Sequence, residues 1–196
     1  IYGDLDISVI DEYPRGRQKI ATYCVDSSYR NRVYNYIKKF LDEGRQAYIV
    51  CPLVEENETL DITSATEYYE NLKDGDFKNY SVGLLHGKMK PKQKDEVMRD
   101  FSDGKIQLLI ATTVIEVGID VPNAVVMLIE NAERFGLSQL HQLRGRIGRG
   151  KYKSSCILIS DSRSDDTKKR LNVIKNSCDG FVIADEDFKL RGPGDF

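Results

Sequence analysis

The sequence between Ala124 and Gly150 reads AVVMLIENAERFGLSQLHQLRGRIGRG. It begins with six consecutive apolar residues, Ala124–Ile129, a run of the length and character of a strand buried on both faces. A short helix is predicted to follow over Ser138–Leu143. The stretch closes on two Gly-Arg pairs, which disfavour continuation of that helix. A buried strand followed by a helix is the repeating unit of a parallel sheet that is covered by helices.

The same alternation runs through most of the chain. Helices are predicted to begin near Tyr29, Thr59 and Pro91. The first is predicted to be capped by Ser27 or Ser28 and stopped by Gly44. The predicted strands are Lys19–Val25, Gln46–Cys51, Tyr80–Leu85, Ile106–Ala111, Ala124–Ile129 and Ser155–Ile159. This order predicts an α/β protein with a parallel sheet and helices on both faces.

The sequence changes character after Asp161. Leu171, Ile174 and Cys178 form one helical face, and the chain closes on LRGPGDF, which is rich in Gly and Pro. We expect a sheet domain over residues 1–162 and an appended helical hairpin and loop over 163–196. Because Ile1 is not an initiator Met, the chain is expected to be a fragment of a longer protein.

Charge and cysteine usage narrow the classes of function. The net charge is −2, with 29 Lys and Arg against 31 Asp and Glu, which by itself argues against nucleic acid as a partner. Basic residues are nevertheless concentrated over His86–Lys94 and Arg144–Lys153, either as one binding face or as ordinary solvated surface. No apolar run is long enough to span a bilayer. The four cysteines lack CxxC spacing, so we expect no metal site, and we expect Cys24, Cys51 and Cys156 to be reduced core residues of a cytosolic protein.

The segment QLRGRIGR, Gln142–Arg149, is the strongest chemical motif. The guanidinium group is a planar fork of donors that fits phosphate oxygens. Glycines suit a backbone that passes close to a ligand or to a neighbouring domain. An arginine supplied across a cleft can stabilise the charge that builds on a transferring phosphoryl group. The alternative is a basic surface turn.

The chain lacks a GxxxxGK[ST] phosphate loop and an acidic motif that would hold magnesium. A nucleoside-triphosphatase centre would therefore have to be completed by another domain.

Four segments together resemble the motifs of superfamily 2 helicases. QLRGRIGR resembles motif VI, ATTVIEVGIDVPN (Ala111–Asn123) resembles motif V, AYIVCP (Ala47–Pro52) resembles motif IV, and LHGKMK (Leu85–Lys90) resembles the segment between IV and V. The longer runs IENAERFGLSQLHQLRGRIGRG and DGFVIADEDFKLRGPGDF are similar to the RecG family of bacterial ATP-dependent branch-migration helicases. The likeness covers nearly the whole chain and implies a RecA-like fold.

The resemblance implies a nucleotide site. Arg146 and Arg149 are expected to reach ATP that is bound on a first motor lobe, with Gln142 as a helper, and these three are the candidate catalytic residues. Gly118 and Asp120 of motif V are expected to bind the nucleotide, with Asp120 near the ribose. ATP and Mg²⁺ would be held mainly by that other lobe.

The resemblance also implies contacts with DNA, in which hydroxyl, backbone and cationic groups meet phosphates without reading sequence. The candidate nucleic-acid-binding residues are His86, Gly87, Lys88, Thr112, Thr113 and Glu116. Lys88 stands where the family commonly has Arg, which keeps the charge but loses the bidentate fork. Strand-end capping is the alternative for the two threonines, and a purely structural histidine is the alternative for His86.

The tail resembles the translocation motif of the family, a helical hairpin and loop that is thought to convert lobe closure into movement on DNA. Arg191 and Gly192 match the start of its loop and are the candidate coupling residues. The resemblance implies that the chain stops inside this motif.

The function implied is that of the C-terminal motor lobe of an ATP-dependent DNA helicase that remodels stalled replication forks and Holliday-type junctions in recombination and repair. Its partners would be branched or duplex DNA and the first motor lobe and wedge domain of the same polypeptide, in the bacterial cytoplasm at the nucleoid and not at a membrane. The fragment alone is not expected to hydrolyse ATP. Three alternatives stay open: a transcription-repair coupling translocase, a non-enzymatic nucleic-acid-binding module and a small-molecule-binding α/β domain.

Overall fold

The computed structural model describes residues 20–53, 58–112 and 120–176. Within them, six strands form a sheet in the order β1-β6-β5-β2-β4-β3, and every neighbouring pair is parallel. The strands are β1 (Ala21–Val25), β2 (Gln46–Val50), β3 (Val82–Leu85), β4 (Leu108–Ala111), β5 (Ala124–Ile129) and β6 (Ser155–Ile159). The predicted parallel α/β architecture is confirmed.

Helices cover both faces of this sheet. They are α1 (Arg30–Asp42), α2 (Glu58–Asp74), α3 (Pro91–Ser102), α4 (Leu137–Arg144) and α5 (Asp165–Asn176), with short 3-10 helices at Ser27–Tyr29 and Ala132–Arg134. Apolar residues of α1 and α2 pack on one face, and those of α3, α4 and α5 pack on the other. The helices α1, α2 and α3 begin at, or within one residue of, the three predicted starts.

The central strands are buried along their whole length. Successive residues of a strand point to opposite faces. Tyr48 of β2 therefore packs under α3, against the ring of Phe101, while the adjacent Ile49 lies in the core under α1 and α2. Since both faces are buried, the strands read in the sequence as unbroken apolar runs.

The start of the first helix differs from the prediction. The side chain of Asp26 accepts a hydrogen bond from the backbone N–H of Ser28 at 2.8 Å, and Ser27–Tyr29 forms a 3-10 turn before α1. The predicted cap at Ser27 or Ser28 is wrong because a carboxylate lies one residue earlier and both serines lie inside the turn. The predicted stop is confirmed, since Gly44 adopts φ +85° just after α1.

Arg144 corrects the prediction of a continuous basic face. Its side chain is buried, with 3% of the residue exposed, and its Nη1 donates to the hydroxyl of Thr22 at 3.2 Å and to the carbonyl of Ile174. Arg144 thus joins α4 to β1 and α5, and it is unavailable to phosphate. The local sequence does not reveal the burial of Arg144, since the nearby Arg146 and Arg149 are also basic but are accessible to solvent.

Helix α5 packs on the sheet with Leu171 and Ile174 in the core. The predicted second helix of the hairpin and the coupling residues Arg191 and Gly192 lie outside the described residues. The division of the chain at 162/163 therefore remains a prediction.

Cys156 is buried, Cys24 and Cys51 are half-buried, and all three are free thiols, in agreement with the prediction of reduced cysteines. Burial raises the pKa of Cys51 and of Cys156 to about 12, so both are protonated at neutral pH.

None of the helices in the described ranges has the length and apolar character that crossing a membrane requires.

Candidate functional site

The turn that carries motif VI begins where α4 ends. Gly145 continues in the right-handed conformation at φ −64°, and Gly148 then reverses the chain at φ +77°. Ile147 is fully buried between them, whereas Arg146 is half-buried and Arg149 is exposed. A positive φ is costly for residues with a Cβ atom, so the glycine at 148 is required by the backbone itself.

Gly150 meets a different requirement. A Cβ atom at this position would lie 2.6 Å from the carbonyl oxygen of Pro122. The motif VI turn therefore packs closely on residues 120–123, which lead into β5. This close approach lies within the domain, and the expected approach of the motif VI glycines to a ligand or a neighbouring domain stays a prediction.

Arg149 and Asp120 form an exposed ion pair. The Nε atom of Arg149 lies 3.5 Å from Oδ1 of Asp120 and also donates to the carbonyl of Gly145 at 2.8 Å. The side chains are 35% and 61% exposed, so the pair adds little to stability. The pair instead orients Arg149, because this contact and the hydrogen bond to Gly145 both involve Nε and so fix the direction of the guanidinium group.

Tyr48 links these residues electrostatically. Its pKa is raised to about 12, mainly by burial, while the charges of Arg146 and Arg149 lower it and that of Asp120 raises it. Each of the three charges thus lies near the phenol ring of the central strand. The structure therefore brings the predicted residues Asp120, Arg146 and Arg149 together. Tyr48 was not singled out in the sequence, although it is the one hydroxyl-bearing side chain in the run AYIV.

Gln142 lies on the exposed side of the last turn of α4. With Arg146 and Arg149 it follows a spacing of four and then three residues, while Leu143, Arg144 and Ile147 point inwards. The three candidate catalytic residues are thus all at least partly exposed, although the helix ends at Arg144 and the chain reverses at Gly148 before Arg149.

The candidate nucleic-acid-binding residues that the structure describes lie at the carboxyl ends of adjacent strands. His86, Gly87 and Lys88 follow β3, and Thr112 follows β4, with its backbone N–H donating to the carbonyl of Leu85 at 3.1 Å. Ligand sites in parallel sheets lie at this edge. This group is separate in sequence and in strand position from the motif VI turn.

The hydroxyl of Thr112 is buried and has no hydrogen-bond partner among the described residues. Buried polar atoms are nearly always paired, which makes an orphan hydroxyl unusual. Within the described part of the chain it caps no strand, so the capping alternative gains no support. Thr113, Glu116 and Gly118 lie outside the described residues.

His86 stabilises the turn in which it lies. Its Nδ1 accepts a hydrogen bond from the backbone N–H of Lys88 at 3.2 Å, and the Nζ of Lys88 donates to the hydroxyl of Thr59 at 3.0 Å. Burial, and secondarily the charge of Lys94, lower the pKa of His86, which keeps the ring neutral. The structural role of His86 is thus observed, and a DNA contact remains a prediction.

A buried charged cluster was not foreseen. Glu130 follows β5 directly and accepts hydrogen bonds from Arg30 at 2.7 and 3.1 Å and from the hydroxyl of Tyr68 at 2.7 Å. The hydrogen bond to Glu130 raises the pKa of Arg30, and burial raises that of Tyr68. The cluster borders a cavity of about 510 Å³ that also reaches Cys51. The sequence feature that could have indicated this cluster is Glu130 itself, a glutamate that directly follows a wholly apolar strand.

Metal ligands are not grouped in the parts of the chain that the structure describes: no three His, Cys, Asp or Glu side chains there could hold an ion together. The cationic side chains of the motif VI turn fit a phosphate-bearing ligand and not a cation.

The chain belongs to the helicase conserved C-terminal domain family, whose model matches residues 31–151. It is 50% identical over 196 residues to the ATP-dependent DNA helicase RecG of Bacillus subtilis (strain 168), covering 100% of this chain and 29% of that protein. It is also 50% identical to the RecG of Synechocystis sp., covering 100% of this chain and 24% of the relative. The chain thus spans about a quarter to three tenths of the length of these relatives.

A solved structure described as RecG bound to a three-way DNA junction superposes with a TM-score of 0.80. It is 45% identical and covers 93% of this chain and 24% of that one. The fold is therefore the RecA-like helicase C-terminal fold, as the resemblance implied.

Proposed function

We propose that this chain is the second motor lobe of an ATP-dependent DNA helicase of the RecG type. The observation that carries the proposal is the geometry of Arg149, an exposed arginine whose Nε is held by Asp120 and by the carbonyl of Gly145. An arginine oriented in this way but only partly buried is suited to a ligand that arrives from outside the domain.

Arg146 and Arg149 act in trans on ATP held by a first motor lobe. When the lobes close, their guanidinium groups meet the phosphates and stabilise the charge that develops on the transferring phosphoryl group. Gln142, exposed in the last turn of α4, assists. Asp120 orients Arg149 and, with Gly118, borders the ribose. ATP and Mg²⁺ are bound mainly by the other lobe, and this chain supplies the cations that complete the site.

DNA is held at the other group of residues. Lys88 and the backbone of Gly87 meet the phosphates of one strand next to His86, and the orphan hydroxyl of Thr112 turns to a phosphate oxygen together with Thr113 and Glu116. Such contacts position the duplex without reading its sequence and weaken as salt rises. Arg191 and Gly192 couple lobe closure to movement along DNA.

The complete enzyme remodels stalled forks and Holliday-type junctions in recombination and repair, in the bacterial cytoplasm at the nucleoid. Branched DNA is selected mainly by a wedge domain elsewhere in the polypeptide. The chain alone hydrolyses no ATP because it has no phosphate loop.

The test is ATP hydrolysis by the complete polypeptide with no DNA, with linear duplex and with a model fork, alongside the 196-residue chain. We expect fork DNA to stimulate the complete polypeptide most and the short chain to show no turnover. Hydrolysis that no DNA stimulates would contradict the proposal and favour a non-enzymatic binding module. DNA-stimulated turnover by the short chain alone would contradict the composite site.

A further inference from the structure

Arg45 connects the two segments that carry the Asp120–Arg149 pair. It lies in the turn between α1 and β2. Its Nη1 donates to Oδ1 of Asn123 at 2.7 Å, three residues after Asp120. The same guanidinium carbon lies 3.7 Å from the centre of the Tyr152 ring, three residues after Arg149. One side chain thus contacts both segments, at the same sequence distance from each member of the pair.

Asn123 makes the Asp120 side of this connection rigid. Its Nδ2 donates to the carbonyl of Gly44 at 2.8 Å and to Oε1 of Gln46 at 3.1 Å, and its carbonyl accepts from the backbone N–H of Gln46 at 2.9 Å. Gln46 is itself buried, and its amide donates to the carbonyls of Phe101 and Ile106 at 2.5 and 2.8 Å. The segment leading into β5 is therefore fixed to the amino end of β2.

The Arg149 side depends on fewer contacts. Gly150 packs against the carbonyl of Pro122, and Tyr152 is stacked on Arg45 while remaining 37% exposed. Stacking of a guanidinium on an aromatic ring contributes about 0.5–2 kcal/mol. Removing this contact would release Tyr152 from the rigid segment without opening the core, while Gly150 still packs against Pro122.

We propose that Arg45 is a positioning residue for nucleotide hydrolysis, which sets the place of Arg149 by clamping Tyr152 to Asn123. The inference rests on the proposed function of Arg149. Arg45 itself touches no nucleotide and acts only through the geometry of the motif VI turn. A misplacement of about 1 Å at a reacting centre can cost about 10²-fold in rate, so a clamp of modest energy has a large kinetic effect.

The experiment measures kcat and KM for DNA-stimulated ATP hydrolysis by the complete polypeptide. The variants are Arg45→Ala, Arg149→Ala, the double variant, Tyr152→Ala and Tyr152→Phe. Arg32→Ala is the matched control, since Arg32 also lies over a tyrosine ring, that of Tyr29, at 5.4 Å. Thermal unfolding shows that each variant is folded. If Arg45→Ala does not fold, Tyr152→Ala, which removes only the stacking, takes its place in the double variant.

We expect Arg45→Ala and Tyr152→Ala to lower kcat about ten-fold with little change in KM. Tyr152→Phe, which keeps the ring, and Arg32→Ala should match the parent. In the Arg149→Ala background, Arg45→Ala should cause no further loss, because its effect passes through Arg149.

Two results overturn the inference while leaving the proposed function intact. One is an unchanged kcat in Arg45→Ala when Arg149→Ala is strongly impaired. The other is the same loss from Arg45→Ala in both backgrounds, which shows general damage. A normal kcat in Arg149→Ala would instead contradict the proposed function, and the inference would fall with it.

Discussion

The Nε of Arg149 lies 3.5 Å from Oδ1 of Asp120, and these residues belong to two different sequence motifs that are 29 positions apart. The pair is exposed, so its contribution to stability is small. Gly148 reverses the chain to bring Arg149 there, and Gly150 packs on Pro122 beside it. Two glycines, an aspartate and an arginine thus form one structural unit.

Gly148 should tolerate substitution poorly. Because its φ is +77°, Gly148→Ala should lower the free energy of unfolding by about 1–2 kcal/mol. Gly148→Asn should cost less, since asparagine enters the left-handed region more readily. Urea unfolding of the two variants and the parent measures the difference. Equal costs for Ala and Asn would show that steric crowding, and not backbone conformation, selects glycine here.

Arg144 should be a stability residue, unlike its neighbours in the same motif. Arg144→Ala leaves the hydroxyl of Thr22 and the carbonyl of Ile174 without their donor in a buried setting, and we expect a loss of about 3 kcal/mol. The control is Arg99→Ala, at an exposed position of α3. Thermal unfolding measures both. A melting temperature for Arg144→Ala equal to that of the control would contradict the structural role.

Thr112 should matter for DNA and not for folding. Its buried hydroxyl has no partner among the described residues, so Thr112→Val should leave stability within about 1 kcal/mol of the parent or raise it. The stimulation of ATP hydrolysis by DNA should fall. In Thr167→Val, the matched control, a buried hydroxyl that accepts from Ser162 is lost, and stability should fall. A marked destabilisation by Thr112→Val would instead support the capping alternative.

Local sequence patterns were sufficient to predict the strands and helices. The strands Ala124–Ile129 and Ser155–Ile159 were predicted with their observed bounds because the first is wholly apolar and the second is apolar after Ser155. Pro91 marked the start of α3. The resemblance to helicase motifs V and VI grouped Arg146, Arg149 and Asp120, which lie near one another in the structure.

Contacts between residues that are distant in the sequence could not be predicted from local sequence patterns. The strand order and the contact of Glu130 with Arg30, 100 residues away, depend on packing that no local pattern encodes. The burial of Arg144 could not be predicted for the same reason, because its partners Thr22 and Ile174 lie in distant elements. The cap at Asp26 could have been found locally, since aspartate is as good a cap as serine.

The most direct test of the composite site is the effect of Arg149→Ala on the complete polypeptide. It compares kcat for fork-stimulated ATP hydrolysis with the dissociation constant for fork DNA. Lys153→Ala, at an exposed position four residues further along, removes a nearby positive charge and serves as the control. We expect Arg149→Ala to lower kcat by about 10³-fold or more while DNA affinity stays near that of the parent. An unchanged kcat, or a loss of DNA affinity with normal turnover at saturating DNA, would contradict the role of Arg149 at the nucleotide.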